Sequence, residues 1–270
     1  MDVDELLFEF SHKGRYNVLK SLYRQSKKHN QLVKELDIPG SEISRHLKRL
    51  FQKDLISKGI DNKYFVTNIG KIFLQMIDIF EVSLNNREYL NSHDITAIPV
   101  HLIFQLGKLK TVELSNKTME NMEIFENLVK GSSEFLLAIT DQYQKSLLIE
   151  AEKKMNDKRT SIKALVDRNL LKSYNIPEGW STLFKDPQEL FKKMLKNIRI
   201  LHKIQLSLVV TEKGAILFLS KDGIIDYSHC LIDNHDSFIK WTKELFEWYW
   251  EKGKNLRPFI RKIIRSKQQF

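Results

Sequence analysis

Apolar residues recur at helical spacing from the start of the chain, with Leu6, Leu7 and Phe10 followed by Tyr16, Val18, Leu19, Leu22 and Tyr23. The pattern predicts short packed helices as far as about Leu55. Asn30 is a candidate N-cap for a helix over Gln31–Leu36. Asp37-Ile38-Pro39-Gly40 should stop that helix, because Pro39 disfavours a helical residue before it and Gly40 tolerates a turn. A third helix is expected from Ser41. It places Ile43, Leu47, Leu50 and Phe51 on one face and turns Glu42, Ser44, Arg45, Lys48, Arg49 and Gln52 away from it. Leu55–Ile60 and Tyr64–Thr67 are short strand-like runs around the polar Asp61-Asn62-Lys63, which predicts a small hairpin, or wing. After Gly70 the helical period returns with Ile72, Phe73, Met76, Ile77, Phe80 and Leu84, up to about Leu90. That stripe serves either a core or the pairing of two subunits.

From Asp94 the texture changes. Helices are expected near Pro99–Leu106, Met119–Val129, Tyr143–Met155 and Gln188–Leu195, with an aromatic-rich amphipathic helix over Asp236–Glu251. Strands are expected at Thr111–Leu114, Glu134–Thr140, Ser161–Val166, Ile198–Leu201, Leu206–Thr211, Ala215–Leu219 and, last, Ile224–Tyr227. Strands alternating with helices imply an α/β layer architecture with some antiparallel pairing late in the chain. The expected fold is thus α+β or α/β: a winged helix-turn-helix over 1–70, a connector or dimerisation helix over 71–93, an α/β effector-sensing domain with a mixed sheet over 94–253, and a basic tail over 254–270.

Charge sharpens this picture. The chain of 270 residues carries a formal charge of +10, and what matters is where that charge sits. Between Lys13 and Lys63 there are thirteen basic and five acidic residues, so most of the surplus lies in under a fifth of the chain. The lone cysteine, Cys230, excludes an intramolecular disulfide framework and a Cys-rich zinc site, and reads as a small buried hydrophobe. An acidic N-terminus and the lack of an apolar run of about 20 residues point to a cytoplasmic protein with no membrane association.

A tight turn between two helices and a hairpin directly after them follow the order of a winged helix-turn-helix, whose recognition helix enters the major groove. On that helix Ser41 and Ser44 can donate to phosphates or bases. Arg45 and Arg49 carry the forked guanidinium that grips guanine edges or phosphate, and Lys48 suits phosphate. His46 lies beside the apolar face and either packs there or reaches a base. Lys58 and Lys63 on the wing either contact phosphate or remain solvated.

Ile43-Ser44-Arg45-His46-Leu47-Lys48-Arg49-Leu50, with Lys53-Asp54-Leu55-Ile56 and Thr67-Asn68-Ile69-Gly70, resembles the recognition helix, wing start and closing turn of ArsR-like winged-helix repressors. The remainder is similar to the archaeal methanogenesis-regulatory-protein family. The resembling residues there are His93-Asp94-Ile95-Thr96-Ala97-Ile98-Pro99, Asp167-Arg168-Asn169, Lys221-Asp222-Gly223 with Asp226-Tyr227, and Trp241 with Glu244-Leu245-Phe246 and Tyr249. This resemblance implies a dimeric archaeal transcription regulator that binds double-stranded DNA and senses an effector through its middle domain. The basic tail after Gly253 lies outside the pattern.

Catalytic constellations are missing from the sequence. Lys213-Gly214 and Lys221-Asp222-Gly223 lack the glycines of a phosphate loop, and no His-Glu-x-x-His occurs. His229 and His235 stand at metal spacing, but no cysteine or paired carboxylate motif supports them. No cofactor, no metal and no enzymatic activity are therefore expected. Asp141, Asp167 and Thr211 follow predicted strands, where open α/β sheets place ligand-binding loops. For Asp141 and Asp167 ordinary capping is the competing reading. A different class of function is also open, that of a non-catalytic adaptor holding RNA or a protein partner through its basic helices.

Overall fold

The computed structural model describes residues 2–142, 147, 150, 153–154, 159–170, 192 and 195–258. They form two compact units, Met1–Glu81 and Val82–Phe270. Among the described residues no helix is long and apolar enough to cross a membrane. The helices expected at Tyr143–Met155 and Gln188–Leu195 fall mostly, and the tail from Phe259 wholly, outside the described residues.

The first unit packs α1 (Val3–Ser11), α2 (Lys13–Arg24), α3 (His29–Leu36) and α4 (Gly40–Gln52) around Leu6, Val18, Leu19, Leu22, Leu32, Ile43, Leu47 and Leu50. The helix expected from Ser41 is therefore the fourth. Helix α3 begins one residue before Asn30, and the Lys28 N–H donates to Gln31 Oε1 at 2.8 Å, so Asn30 is not its cap. Phe51 was expected on the buried face of α4 beside Leu50, but it is half exposed while Leu50 is fully buried.

The wing pairs β1 (Ile56–Lys58) with β2 (Tyr64–Val66) in antiparallel register, Ser57 opposite Phe65. Lys27 and Tyr64 exchange backbone hydrogen bonds of 3.0 and 2.8 Å, which adds a third segment to the hairpin. Gly70 is dictated by close approach: a Cβ there would lie 2.3 Å from the Leu55 carbonyl oxygen. Thr67 Oγ1 donates to the Asp54 carbonyl at 2.6 Å and accepts from the Gly70 N–H at 3.1 Å, fastening the wing to α5 (Asn68–Asn85). A single helix to Leu90 was expected. Instead the chain breaks at buried Asn86, whose side chain donates to the Val82 carbonyl, and resumes as α6 (Arg87–Ser92).

The second unit is built on a mixed sheet. Beyond the short α7 (Val100–Ile103), its described elements are β3 (Glu113–Ser115), α8 (Thr118–Gly131), β4 (Phe135–Thr140), β5 (Ser161–Asp167), β6 (Ile198–Leu201), β7 (Leu206–Thr211), β8 (Gly214–Lys221), β9 (Ile224–Ile225), β10 (Cys230–Asp233), α9 (Asp236–Lys252) and β11 (Lys254–Asn255). The strand order is β11-β6-β5-β4-β7-β8-β10-β3, with β9 beside β8. The β4–β5 and β5–β6 pairs are parallel and the others antiparallel.

All of β7 and nearly all of β8 are buried, as expected of strands covered on both faces, and α8 and α9 both pack on them. The aromatic helix α9 is core: Trp241 Nε1 donates to the Leu102 carbonyl at 2.9 Å and the Tyr249 hydroxyl to the Ala97 carbonyl at 2.6 Å. Cys230 is fully buried, and burial pushes its thiol up to about 12. The strand expected over Ile224–Tyr227 shrinks to two residues, because the Asp226 carboxylate turns the chain by accepting the Ser228 N–H at 2.8 Å. The chain then re-enters the sheet as β10.

Candidate nucleic-acid interface

Helix α4 is locked on one side and open on the other. Ile43, His46, Leu47 and Leu50 are buried, whereas Ser41, Ser44, Arg45 and Lys48 are exposed. At its start His29 Nε2 lies 3.0 Å from the Gly40 carbonyl and 2.9 Å from Ser44 Oγ. A carbonyl only accepts, so this nitrogen carries the hydrogen and pins α3 to the first turn of α4. His46 faces inward, 3% exposed. Burial, and the charge of His12 next, lower its pKa and keep it neutral. The ring packs against Gly14, where a Cβ would stand 2.5 Å from His46 Nε2. This placement leaves His46 no route to a base.

Arg49 is placed differently from Arg45. Its guanidinium forks onto Glu9, with Nη2–Oε1 at 2.6 Å and Nε–Oε2 at 3.2 Å. Glu9 is only 1% exposed and also holds Arg15 at 2.8 Å. Arg15 in turn donates to the Phe8 and Glu9 carbonyls near the end of α1, and both guanidinium groups lie over the Phe8 ring. One buried carboxylate thus ties α1, α2 and α4 together, and a Lys53–Glu5 pair at 2.8 Å adds a second tie. On the wing Lys58 lies over the Tyr64 ring at 5.5 Å, and Lys63 pairs with Asp61 at 2.9 Å. Ile60 stands fully exposed at the tip.

The three residues expected to bind a ligand in the second unit do not converge. Asp141 follows β4 and Asp167 ends β5, so both lie at the same end of these parallel strands. Thr211 ends β7, which runs the other way and sets it opposite Leu136 at the start of β4. Each is also occupied. Asp141 accepts from the Tyr227 hydroxyl, and Asp167 accepts the Asn169 and Ile204 N–H groups at 2.7 and 3.3 Å. Thr211 Oγ1 is buried within the β7–β8 turn, donating to the Gly214 carbonyl at 3.2 Å and accepting the Lys213 N–H at 3.1 Å. The near contacts of Asp167 and Thr211 close turns, whereas Asp141 holds the distant Tyr227.

Residues 12–58 match the bacterial regulatory protein arsR family, and residues 119–252 match the middle domain of methanogenesis regulatory protein FilR1. In these two parts the chain is similar to the FilR1-like regulators. It is 25% identical over 268 residues to methanogenesis regulatory protein FilR1 of Methanothrix harundinacea (strain 6Ac), an alignment that takes in 94% of this chain and 59% of that relative. This FilR1-like chain therefore spans less than two thirds of the relative's length.

Among solved structures, TrmBL2, an archaeal chromatin protein described as showing a novel mode of DNA binding, has 15% identity and a TM-score of 0.40, over 90% of this chain and 92% of that one. An IclR homolog from Microbacterium hydrocarbonoxydans, complexed with 4-hydroxybenzoate, has 8% identity and a TM-score of 0.23, over 86% and 94% of the two chains. Both likenesses are too loose to carry an argument.

Two groups of residues in this FilR1-like chain were not singled out from its sequence. Glu9 is one, and its signal was present: a carboxylate between Phe8 and Phe10 on an apolar helix needs a cationic partner. The other is His93 with Asp226 and His229. His229 had been paired with His235, but His235 instead meets Asp233 at 2.7 Å.

Proposed function

We propose that the chain is a DNA-binding transcription regulator that acts without catalysis, as a homodimer, with α4 in the major groove and the wing against the flanking backbone. The observation that carries this reading is the two-sidedness of α4. Its inner face is fixed by core packing, by His29 and by Glu9, while Ser41, Ser44, Arg45 and Lys48 project together from the outer face. A rigidly held helix with an arginine fork and a lysine on its free side suits base reading combined with phosphate neutralisation. Lys58 and Lys63 on the wing would meet phosphate, and Arg49, forked onto Glu9, would brace the helix from its half-exposed flank.

Dimerisation is supported by α5, where Ile69, Ile72, Met76 and Phe80 are exposed at helical spacing. A second copy of that stripe would cover it and present two recognition helices to half-sites about one helical turn apart. Effector binding falls to the second unit. There a cavity of about 360 Å³ opens between α8 and the β8–β10 end of the sheet, lined by Thr111, Ile124, Lys213, Asp233 and His235 among others, within the size range of small-molecule sites.

The test is selection from a random duplex pool by the wild-type chain and by an Arg45→Ala/Lys48→Ala variant. Enrichment of a palindrome by the wild type alone is expected. Equal enrichment by both proteins, or capture of single-stranded RNA in preference to duplex, overturns the reading.

A further inference from the structure

His93, Asp226 and His229 come from separate parts of the second unit and meet at one point. His93 follows α6, and the other two lie in the turn between β9 and β10. One donor atom from each lies within 4.8 Å of the other two. Both segments are clamped to the same residue of β8: the Tyr89 hydroxyl accepts the Leu219 N–H at 3.0 Å, and the Asp226 N–H donates to the Leu219 carbonyl at 3.0 Å. The Asp94 N–H adds a bond to the Ser220 carbonyl at 2.8 Å. This is a built site, not a chance meeting of surface side chains.

His93 Nδ1 lies 2.9 Å from both the Tyr89 carbonyl and Ser92 Oγ, which hold the ring in place. Its Nε2 faces Asp226 Oδ2 at 3.1 Å. Asp226 Oδ2 also lies 2.7 Å from His229 Nδ1, while its other oxygen takes the Ser228 N–H. The His93 side chain is 2% exposed. A buried imidazole nitrogen, a carboxylate oxygen and a half-exposed imidazole nitrogen thus converge, the donor set of a nitrogen- and oxygen-ligated metal ion.

We propose that His93, Asp226 and His229 form a site for one divalent transition-metal ion of the zinc class, with a coordination position left open beside the half-exposed His229. Two imidazoles and one carboxylate suit zinc and its neighbours and ill suit magnesium or calcium, which take oxygen ligands. The Tyr89 carbonyl on Nδ1–H is the outer partner that orients a metal-bound histidine, and the Ser228 N–H does the same for the carboxylate. Ligands about 2.0–2.2 Å from a common ion lie no more than about 4 Å apart, so closure needs shifts of about an ångström or less. With the ion on Nε2 the ring carries its hydrogen on Nδ1, and a proton previously on Nε2 passes to Nδ1 or, if both nitrogens were protonated, to solvent.

His12, Glu42 and His46 form the only other such group among the described residues, and it is a poorer one. His12 Nδ1 already accepts the Gly14 N–H at 3.2 Å, and Gly14 occupies the space before His46 Nε2.

The experiment strips the full chain with a chelator and titrates it with Co²⁺ as a spectroscopic probe, then displaces Co²⁺ with Zn²⁺. One equivalent should bind with ligand-field absorption. His229→Ala should weaken it at least about tenfold to a hundredfold, with circular dichroism unchanged because His229 is half exposed, and His12→Ala should leave it intact. Three results overturn the proposal: no saturable binding by the wild type, binding unaltered by His229→Ala, or binding abolished by His12→Ala. Direct observation of a doubly protonated His93 in the presence of excess Zn²⁺ overturns it as well.

Discussion

Arg45 and Arg49 stand one turn apart on α4, the first exposed and the second forked onto Glu9, and a paired substitution separates the two. Arg45→Ala removes an exposed side chain and should change stability by no more than about 0.5 kcal/mol. Arg49→Ala removes one of two cationic partners of a carboxylate that is 1% exposed. Complete loss of a buried partner costs about 3–5 kcal/mol, whereas an exposed pair contributes about 0–1 kcal/mol. Arg49 is 43% exposed and Arg15 still holds Glu9 after its removal, so the loss falls between these limits and should lower the melting midpoint by several degrees, more than Arg45→Ala does.

Duplex binding should show the reverse ranking of effects. Arg45→Ala should lose about 1–3 kcal/mol of discrimination at one base-pair position and lower the salt slope by about 1. Thermal melting by circular dichroism and titration by fluorescence anisotropy measure both quantities on the same samples. If Arg49→Ala melts like the wild type while losing base discrimination as Arg45→Ala does, the Glu9 strut is wrong.

Three further outcomes follow from particular contacts. Met76→Glu together with Phe80→Glu places charge in the exposed stripe of α5 and should shift the protein from dimer to monomer in sedimentation; an unchanged dimer would remove α5 from the interface. Gly70→Ala drives a methyl group to within 2.3 Å of the Leu55 carbonyl oxygen and should cost about 1–3 kcal/mol in denaturant titration, with Gly70→Ala as stable as wild type being the contrary result.

The third concerns pH. Burial alone would raise the Glu212 pKa, but the Ser133 N–H and hydroxyl at 2.8 and 3.0 Å and the Phe135 N–H outweigh it and hold the group below its ordinary value of 4.5. A depressed carboxylate contributes stability that is complete above the unfolded value and lost as pH falls through the folded one. Glu212→Gln should therefore cost about 1–2 kcal/mol at neutral pH, and the gap should close in acid below that ordinary value. A gap that widens in acid contradicts the assignment.

The reader was legible because its signals are local. The Pro39-Gly40 stop, the period of Ile43, Leu47 and Leu50, and the turn at Asp61-Asn62-Lys63 each lie within a few residues of what they specify. Contacts that close over long separations were not. Glu9 meets Arg49 across forty positions and His93 meets Asp226 across 133, and no periodicity links such pairs. Thr211 shows a subtler limit. It ends a strand as Asp141 follows one, but only the pairing reveals that β7 runs against β4 and points the two ends apart. The chain's return to the sheet as β10, straight after the turn at Asp226, was not read from the sequence either.

The outermost strands of the large sheet, β3 and β11, are three and two residues long, and each carries a charged side chain, Glu113 or Lys254. Stubs of that kind offer a visiting chain almost no free amide ladder to extend. Two molecules therefore gain little by joining sheet to sheet, however hydrophobic the interior of that layer. Among the described residues, then, neither end of the sheet presents more than a few backbone groups for strand addition to lengthen it.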